Sequence, residues 1–327
     1  MRTTTGYFFM ATKKYAKPAL TISEQIEFLS SQGLEILDEQ LAHNILSTVS
    51  YYRFSSYLLP FKQRHQENNS RRFKDNISLD QAWKLYQFDR ELRLLVSDAI
   101  ERIEIAFRAA ITNTTSVRLH PFWYTEREHF KKHKVRTTHH GLTRKKDFFD
   151  DFFKTVQNIC QSKQEVFLQH YYQNYSEPEF PPIWMMIEAL SFGAVSKMFD
   201  NIQSIEIRNE IASVFGQHTT VIESWMRTLT YTRNLCAHHS RLWNRWFVIP
   251  PVIPKFDPLK NHIKPDPDGN FRFQLIAFII IRLLEKLSIQ DNWKKQLFGL
   301  FEKYEEFPSW QMGFNSNWPE DPIWEYL

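Results

Sequence analysis

Between Trp225 and Arg245 the chain reads WMRTLTYTRNLCAHHSRLWNR, a concentration of residue types that move protons and hold anions. Arg233, Asn234 and His238 fall close together, and His239, Arg241 and Arg245 follow. An imidazole exchanges protons near neutral pH, a guanidinium grips an oxyanion through a planar fork, and a carboxamide can orient either one. At about 100° per residue, Asn234, His238, Arg241 and Arg245 lie within roughly 60° of one another on a helix. Trp225, Leu229, Thr232, Cys236 and Trp243 make a mostly apolar stripe on the opposite side. The spacing therefore predicts one long helix, from about Thr220 to Trp246, with its back in a core and its front ionisable. Arg233 lies roughly 140° from His238 on this ideal wheel, so its side chain must reach back or the turn must be irregular. By default such a face is the solvated or salt-bridged side of an ordinary helix.

A second ionisable stretch precedes it. Lys131, Lys132, Lys134, Arg136, Arg144, Lys145 and Lys146 are candidates for a phosphate-backbone track, with a charged surface loop as the competing reading. The His139-His140 pair lacks a third ligand at useful spacing, so no metal site is assigned. Glu104 and Arg108, four apart, read as a helix-stabilising pair. The aromatic run from Tyr51 to Phe61 reads as packing before it reads as a base-stacking platform.

Composition limits what else the chain can be. Only 8 of 327 residues are Gly, about 2% against a usual 7% or so, and neither G-x-x-x-x-G-K-[ST] nor G-x-G-x-x-G occurs. A Walker-type NTPase and a Rossmann dehydrogenase are therefore not expected, and no cofactor is assigned. Two cysteines build no disulfide framework, which fits a reducing, cytoplasmic setting. The most apolar run, Leu275 to Leu284, contains Arg282 and is too short to span a bilayer, so no membrane partner is expected. A net charge of +4 permits an anionic partner without demanding one.

The elements that must position these residues are helices, and the fold class is all-α. Thr21 opens an amphipathic helix that stops at Gly33, and a second runs from Asp38 to Ser47. Residues 63–75 read as a loop or short hairpin. After Ser78, apolar residues recur at three- and four-residue steps to about Thr115 without Gly or Pro. Further helices are expected over Asp147–Tyr172, Ile183–Phe199 and Ile205–Phe215, then the long one, a Pro-rich connector, and two last helices, Phe271–Leu287 and Asn292–Tyr304. The domains divide as a small N-terminal helical and aromatic module over 1–62, a helical core over 63–250, and a connector with C-terminal helices over 251–327.

Several pieces carry a family resemblance. They are Tyr51-Tyr52-Arg53-Phe54-Ser55-Ser56-Tyr57, then Phe88-Asp89-Arg90-Glu91-Leu92-Arg93, and then the run from Ile100 to Arg108. Pro182-Ile183-Trp184 and Leu190-Ser191-Phe192-Gly193 come next, and Arg233-Asn234 with Ala237-His238-His239-Ser240-Arg241-Leu242-Trp243-Asn244-Arg245 closes the series. In this order the pieces resemble the Abi-2 group of abortive-infection proteins, of AbiD/AbiF type, over roughly residues 18 to 250. Arg233 to His238 also matches the R-x(4 to 6)-H motif of the HEPN superfamily. The resemblance implies a HEPN-like helical bundle whose core, 63–250, carries the RN-x-x-x-H motif. It further implies a phage-defence endoribonuclease that needs no metal and cuts RNA by attack of the ribose 2′-OH. In that chemistry Arg233, Asn234 and His238 are the catalytic candidates, and His239, Arg241 and Arg245 contact substrate. The expected partners are RNA, as substrate or as a small noncoding RNA, and a second copy of the chain that completes a composite site. The alternative is a non-catalytic module that binds RNA, an antitoxin or another partner within a toxin-antitoxin-like defence system.

Overall fold

The computed structural model describes residues 16–63, 72–132, 147–255, 257–263, 265, 268–287, 292–315 and 317–325. It is all-α: among the described residues there are helices and isolated β-bridges, with no strand. Two compact units divide at Gln87/Phe88.

The first unit contains α1 (Ile22–Ser31), α2 (Glu39–Val49), α3 (Tyr51–Leu58) and the opening turns of α4 (Leu79–Arg118). Thr21 starts α1 with a reciprocal cap. Its Oγ1 accepts from Glu24 N at 3.3 Å while its own N–H donates to Glu24 Oε2 at 2.7 Å. Gly33, at φ 91°, stops the helix, and Leu34 N then reaches Leu29 O at 3.2 Å. Asp38 caps α2 by accepting from Leu41 N at 2.9 Å. Leu29, Ala42, Ile45, Leu46, Phe54 and Leu58 make the core with Leu79 and Ala82 of α4. Of the aromatic run, Phe54 and Tyr57 are buried and Tyr52 is exposed, so much of it packs. An antiparallel bridge between Lys62 and Phe73 closes the segment before α4.

The second unit takes the rest of α4 with α5 (Phe148–Ser162), α6 (Val166–Asn174), α7 (Ile183–Ala189), α8 (Phe192–Asn201), α9 (Ile205–Val214), α10 (Thr219–Ala237), α11 (Phe273–Lys286) and α12 (Trp293–Lys303). In α4, Phe88, Leu92, Val96, Ile100, Ile103, Phe107 and Ile111 are buried, as the three- and four-residue repeat requires. Along α11 every residue except Arg282, Glu285 and Lys286 is buried, the signature of a helix enclosed on nearly all sides. No helix among the described residues is long and apolar enough to cross a membrane.

Three expected helices are shorter than their periodicity implies. The span Asp147–Tyr172 divides because Lys163 turns left-handed, at φ 45°, and stops α5. The span Ile183–Phe199 divides at Leu190, where Arg108 donates to the carbonyls of Ile187 and, at 2.9 Å, Leu190. Those bonds take up acceptors that a helix end leaves open, and Glu104 holds the guanidinium from the preceding turn. Ser191 then caps α8, accepting from Ala194 N at 3.3 Å. The third case, α10, ends at Ala237 instead of continuing to Trp246.

Candidate functional site

The back of α10 is as its spacing predicts: Trp225, Leu229, Thr232 and Cys236 are buried, and α8 and α9 pack along the helix. Burial pushes the Cys236 thiol up to about 11, the Ser97 and Arg93 side chains opposing only part of that rise. Cys236 is thus a small core residue and not a nucleophile. Arg233, Asn234 and His238 all lie at the exposed C-terminal end. Arg233 Nη1 donates to Asn234 Oδ1 at 3.4 Å, and Asn234 O accepts the backbone N–H of His238 at 2.9 Å.

What ends the helix shapes this corner. His238 is its C-cap residue and His239 adopts the left-handed conformation at φ 54°. His239 N donates to Cys236 O at 2.9 Å and Ser240 N to Leu235 O at 2.8 Å, the two bonds of a Schellman stop. A histidine thus occupies a seat normally given to glycine. The chain then folds back over α4, where the Asp89 carboxylate receives it. Asp89 Oδ1 accepts from Leu242 N at 2.9 Å and Trp243 N at 2.7 Å, while its other oxygen pairs with Arg93. Asp89 is fully buried and Arg93 nearly so.

Farther on, Asn244 turns left-handed, at φ 50°, donates its N–H to Met312 Sδ at 3.3 Å, and accepts from Arg272 through its side chain. Phe247 and Phe271 bridge, with Phe247 N to Phe271 O at 2.6 Å. The segment after the motif is held by α4 at one end and by the C-terminal part of the chain at the other.

Beside the corner lies a cavity of about 480 Å³, lined by Arg233 and Ala237 of α10 and by Ser97, Glu101, Glu104, Ile105 and Arg108 of α4. Arg233 therefore faces α4, while Asn234 and His238, four apart, lie at the helix end. Arg233 lines this cavity with α4 while its guanidinium bonds the neighbouring Asn234 side chain. The grouping of Arg241 and Arg245 with Asn234 and His238 on one helix face does not hold. Both arginines follow the stop and are half-buried, and Arg245 Nε donates to Arg241 O at 2.5 Å. Trp243 is buried as expected, although by the returning loop instead of the helix.

Of the basic track, Lys131 is engaged within the unit: its N–H donates to Asn201 O at 2.8 Å and its Nζ to Asp200 O at 2.5 Å. Burial and the neighbouring Arg208 lower its pKa. Lys132 is exposed. Lys134, Arg136, Arg144, Lys145, Lys146 and the His139-His140 pair lie outside the described residues.

Two groups were not singled out from the residues alone. Asp89 and Arg93 do have a sequence signal, a charged i, i+4 pair at the buried phase of a helix that otherwise carries Leu and Phe there. The second group is His120, Glu126 and His129, whose ligand atoms converge within 4.8 Å. His120 Nε2 meets Glu126 Oε1 at 3.3 Å and His129 Nε2 meets Glu126 Oε2 at 3.2 Å. Phe122 N donates to His120 Nδ1 at 3.3 Å, which leaves the hydrogen of the neutral ring on Nε2, directed at the carboxylate. The cluster is explained as two imidazoles bridged by one carboxylate, and its residues fit a metal poorly while that bond is kept.

The corner thus offers an imidazole, a carboxamide and a guanidinium in water at the rim of a groove, on a backbone fixed from behind by a buried carboxylate. No curated protein and no solved structure matches the chain. The sequence model of the Abi-like proteins matches residues 44–244, a span that begins in α2, includes Asp89 and Arg93, and closes one residue past Trp243. That match takes in more than half of the 327 residues, and the chain belongs to the Abi-like protein family.

Proposed function

We propose that this protein is a phage-defence endoribonuclease of HEPN-like design, acting without a metal ion through Arg233, Asn234 and His238. The observation that carries the reading is the joint exposure of these three residues at the end of α10, with Arg233 also lining the groove against α4. Family membership supports the defence role.

The chemistry follows from the side chains. His238 takes the proton of the ribose 2′-OH or returns one to the departing 5′ oxygen. Arg233 pairs with the nonbridging phosphate oxygens as charge builds in the transition state, leaving a 2′,3′-cyclic phosphate and a 5′-hydroxyl. Asn234, hydrogen-bonded to Arg233, orients the fork. One imidazole is awkwardly placed to serve both sides of an in-line displacement, so the working form is a homodimer whose two His238 residues share a composite site.

The test is cleavage of mixed RNA in EDTA by wild type, Arg233→Ala and His238→Ala. Loss of the histidine is expected to slow cleavage by roughly 10²- to 10⁴-fold with cyclic-phosphate ends in the wild-type product. Equal cleavage by all three proteins, or a cleaving monomer in solution, would sink the assignment or the composite site respectively. RNA retained but uncut by wild type would favour the binding-module reading.

A further inference from the structure

A separate cavity of about 430 Å³ lies farther along the same unit, bounded by Trp246, Phe271, Arg272 and Trp310 with the amides of Asn261 and Asn315. All of these residues follow the family-matched span 44–244. Its volume falls in the roughly 300–1,000 Å³ range of small-ligand sites.

Much of the wall is aromatic. Both indoles line the cavity and reach solvent, Trp246 at 36% exposure and Trp310 at 60%. Arg272 lies over the Trp246 ring at 4.0 Å and is pinned by Asn244 and by Gln311 O at 2.8 Å. Gly313, at φ 97°, lets the tail close on the floor, since a Cβ there would stand 2.9 Å from Arg272 Cβ. The rim is ordered by Asp321, whose Oδ2 accepts from Asn315 Nδ2 at 2.7 Å and meets His262 Nδ1 at 3.1 Å. Among the described residues, neither Asn315 Oδ1 nor the Asn261 side chain has a hydrogen-bond partner. An acceptor and a whole amide thus border a slot with flat π-surfaces and a fixed cation.

That combination suits a planar heteroaromatic ring with mixed donors and acceptors on its edge and negative charge attached. We propose that the cavity is a single-nucleobase site, with the base stacked on Trp310, its edge read by Asn261 and Asn315, and its phosphate drawn by Arg272. The base can come from a free nucleotide or from single-stranded RNA. The site stands on its own geometry and does not depend on His238 cutting RNA.

The experiment measures binding of the four nucleoside 5′-monophosphates and of 2′-O-methyl homo-hexanucleotides, which lack the 2′-OH needed for cleavage, to the full-length protein. Wild type, Trp310→Ala, Trp310→Phe and Asn315→Ala are compared, with thermal melting as the folding control. Trp310→Ala is expected to weaken binding by roughly 5- to 100-fold and Trp310→Phe to restore most of it, because stacking needs a ring and not an indole. Asn315→Ala is expected to alter the preference among bases. Trp310-dependent binding of hexanucleotides identifies RNA as the source, and binding of monophosphates alone identifies a free nucleotide. Absence of binding in both arms, or affinities indifferent to Trp310→Ala, would overturn the proposal. Cleavage by wild type and His238→Ala is scored separately, so failure here leaves the nuclease reading standing, and the reverse also holds.

Discussion

Replacing Asp89 tests the architecture of the candidate site without touching its exposed residues. Asp89→Ala removes the acceptor of two backbone N–H groups and the partner of buried Arg93. An orphaned buried donor costs about 1–3 kcal/mol, and an uncompensated buried charge about 3–5 kcal/mol. Together these are comparable with the ~5–15 kcal/mol that holds a typical domain, so that variant is expected not to fold. Asp89→Asn is the informative change. Its carboxamide oxygen can still accept from Leu242 and Trp243, while Arg93 loses its counter-charge, for an expected loss of about 3 kcal/mol. Guanidinium unfolding followed by far-UV circular dichroism reads the loss. Hydrogen exchange and trypsin cleavage at Arg241 and Arg245 read whether the corner itself has loosened. Adding Arg93→Met to Asp89→Asn removes the stranded charge, and the double variant is expected to lose less than the sum of the singles. An unfolding midpoint equal to wild type, with unchanged exchange at Leu242 and Trp243, would refute the clasp.

Two further changes are informative. Burial, reinforced by Glu223 and opposed by Arg227, Lys131 and Arg208, raises the Asp200 carboxyl from 3.8 to about 7, and among the described residues its buried Oδ1 has no hydrogen-bond partner. The folded protein then binds a proton more strongly than the unfolded chain between about pH 4 and 7, so this group's contribution to stability falls as pH rises through that window. Asp200→Asn is expected to remove a slope of order 2–4 kcal/mol, gaining on wild type from pH 5 to 8; parallel stability curves would disprove it. His239→Gly relieves a left-handed residue and is expected to stabilise by roughly 0.5–1 kcal/mol, seen as a melting temperature raised by about 1–2 °C. A lowered melting temperature would mean that the histidine side chain contributes more than its backbone costs.

Where structure is set by neighbours in sequence, the sequence was a good guide. Thr21 with Glu24 starts α1, Gly33 ends it, and the unbroken repeat from Leu79 onward makes α4. The buried stripe of α10 was legible for the same reason. Its end was not, because no Gly or Pro lies between Trp225 and Arg245, and a helix wheel keeps turning in the absence of such a signal. The stop depends on His239 accepting a conformation it does not favour and on Asp89 collecting two N–H groups from far away in the chain. The split between α7 and α8 has the same origin, with Arg108 supplying the distant donor. The helix face on which spacing puts Arg241 and Arg245 ends at Ala237, before it reaches them. Arg233, Asn234 and His238 come at or before the stop, so their places at the end of α10 follow from the spacing.

Asp89 and the two amides it binds are 153 and 154 residues apart. Closing a loop of that length costs entropy of about 4–5 kcal/mol from the logarithmic term alone. The contact requires that α4 and the end of α10 have been brought together. A chain emerging from the ribosome completes α4 well before it exposes Leu242, so the motif exists as sequence before it exists as a shaped corner. Any activity that depends on that corner is timed by the fold, and a partly made copy carries the residues without the means to use them.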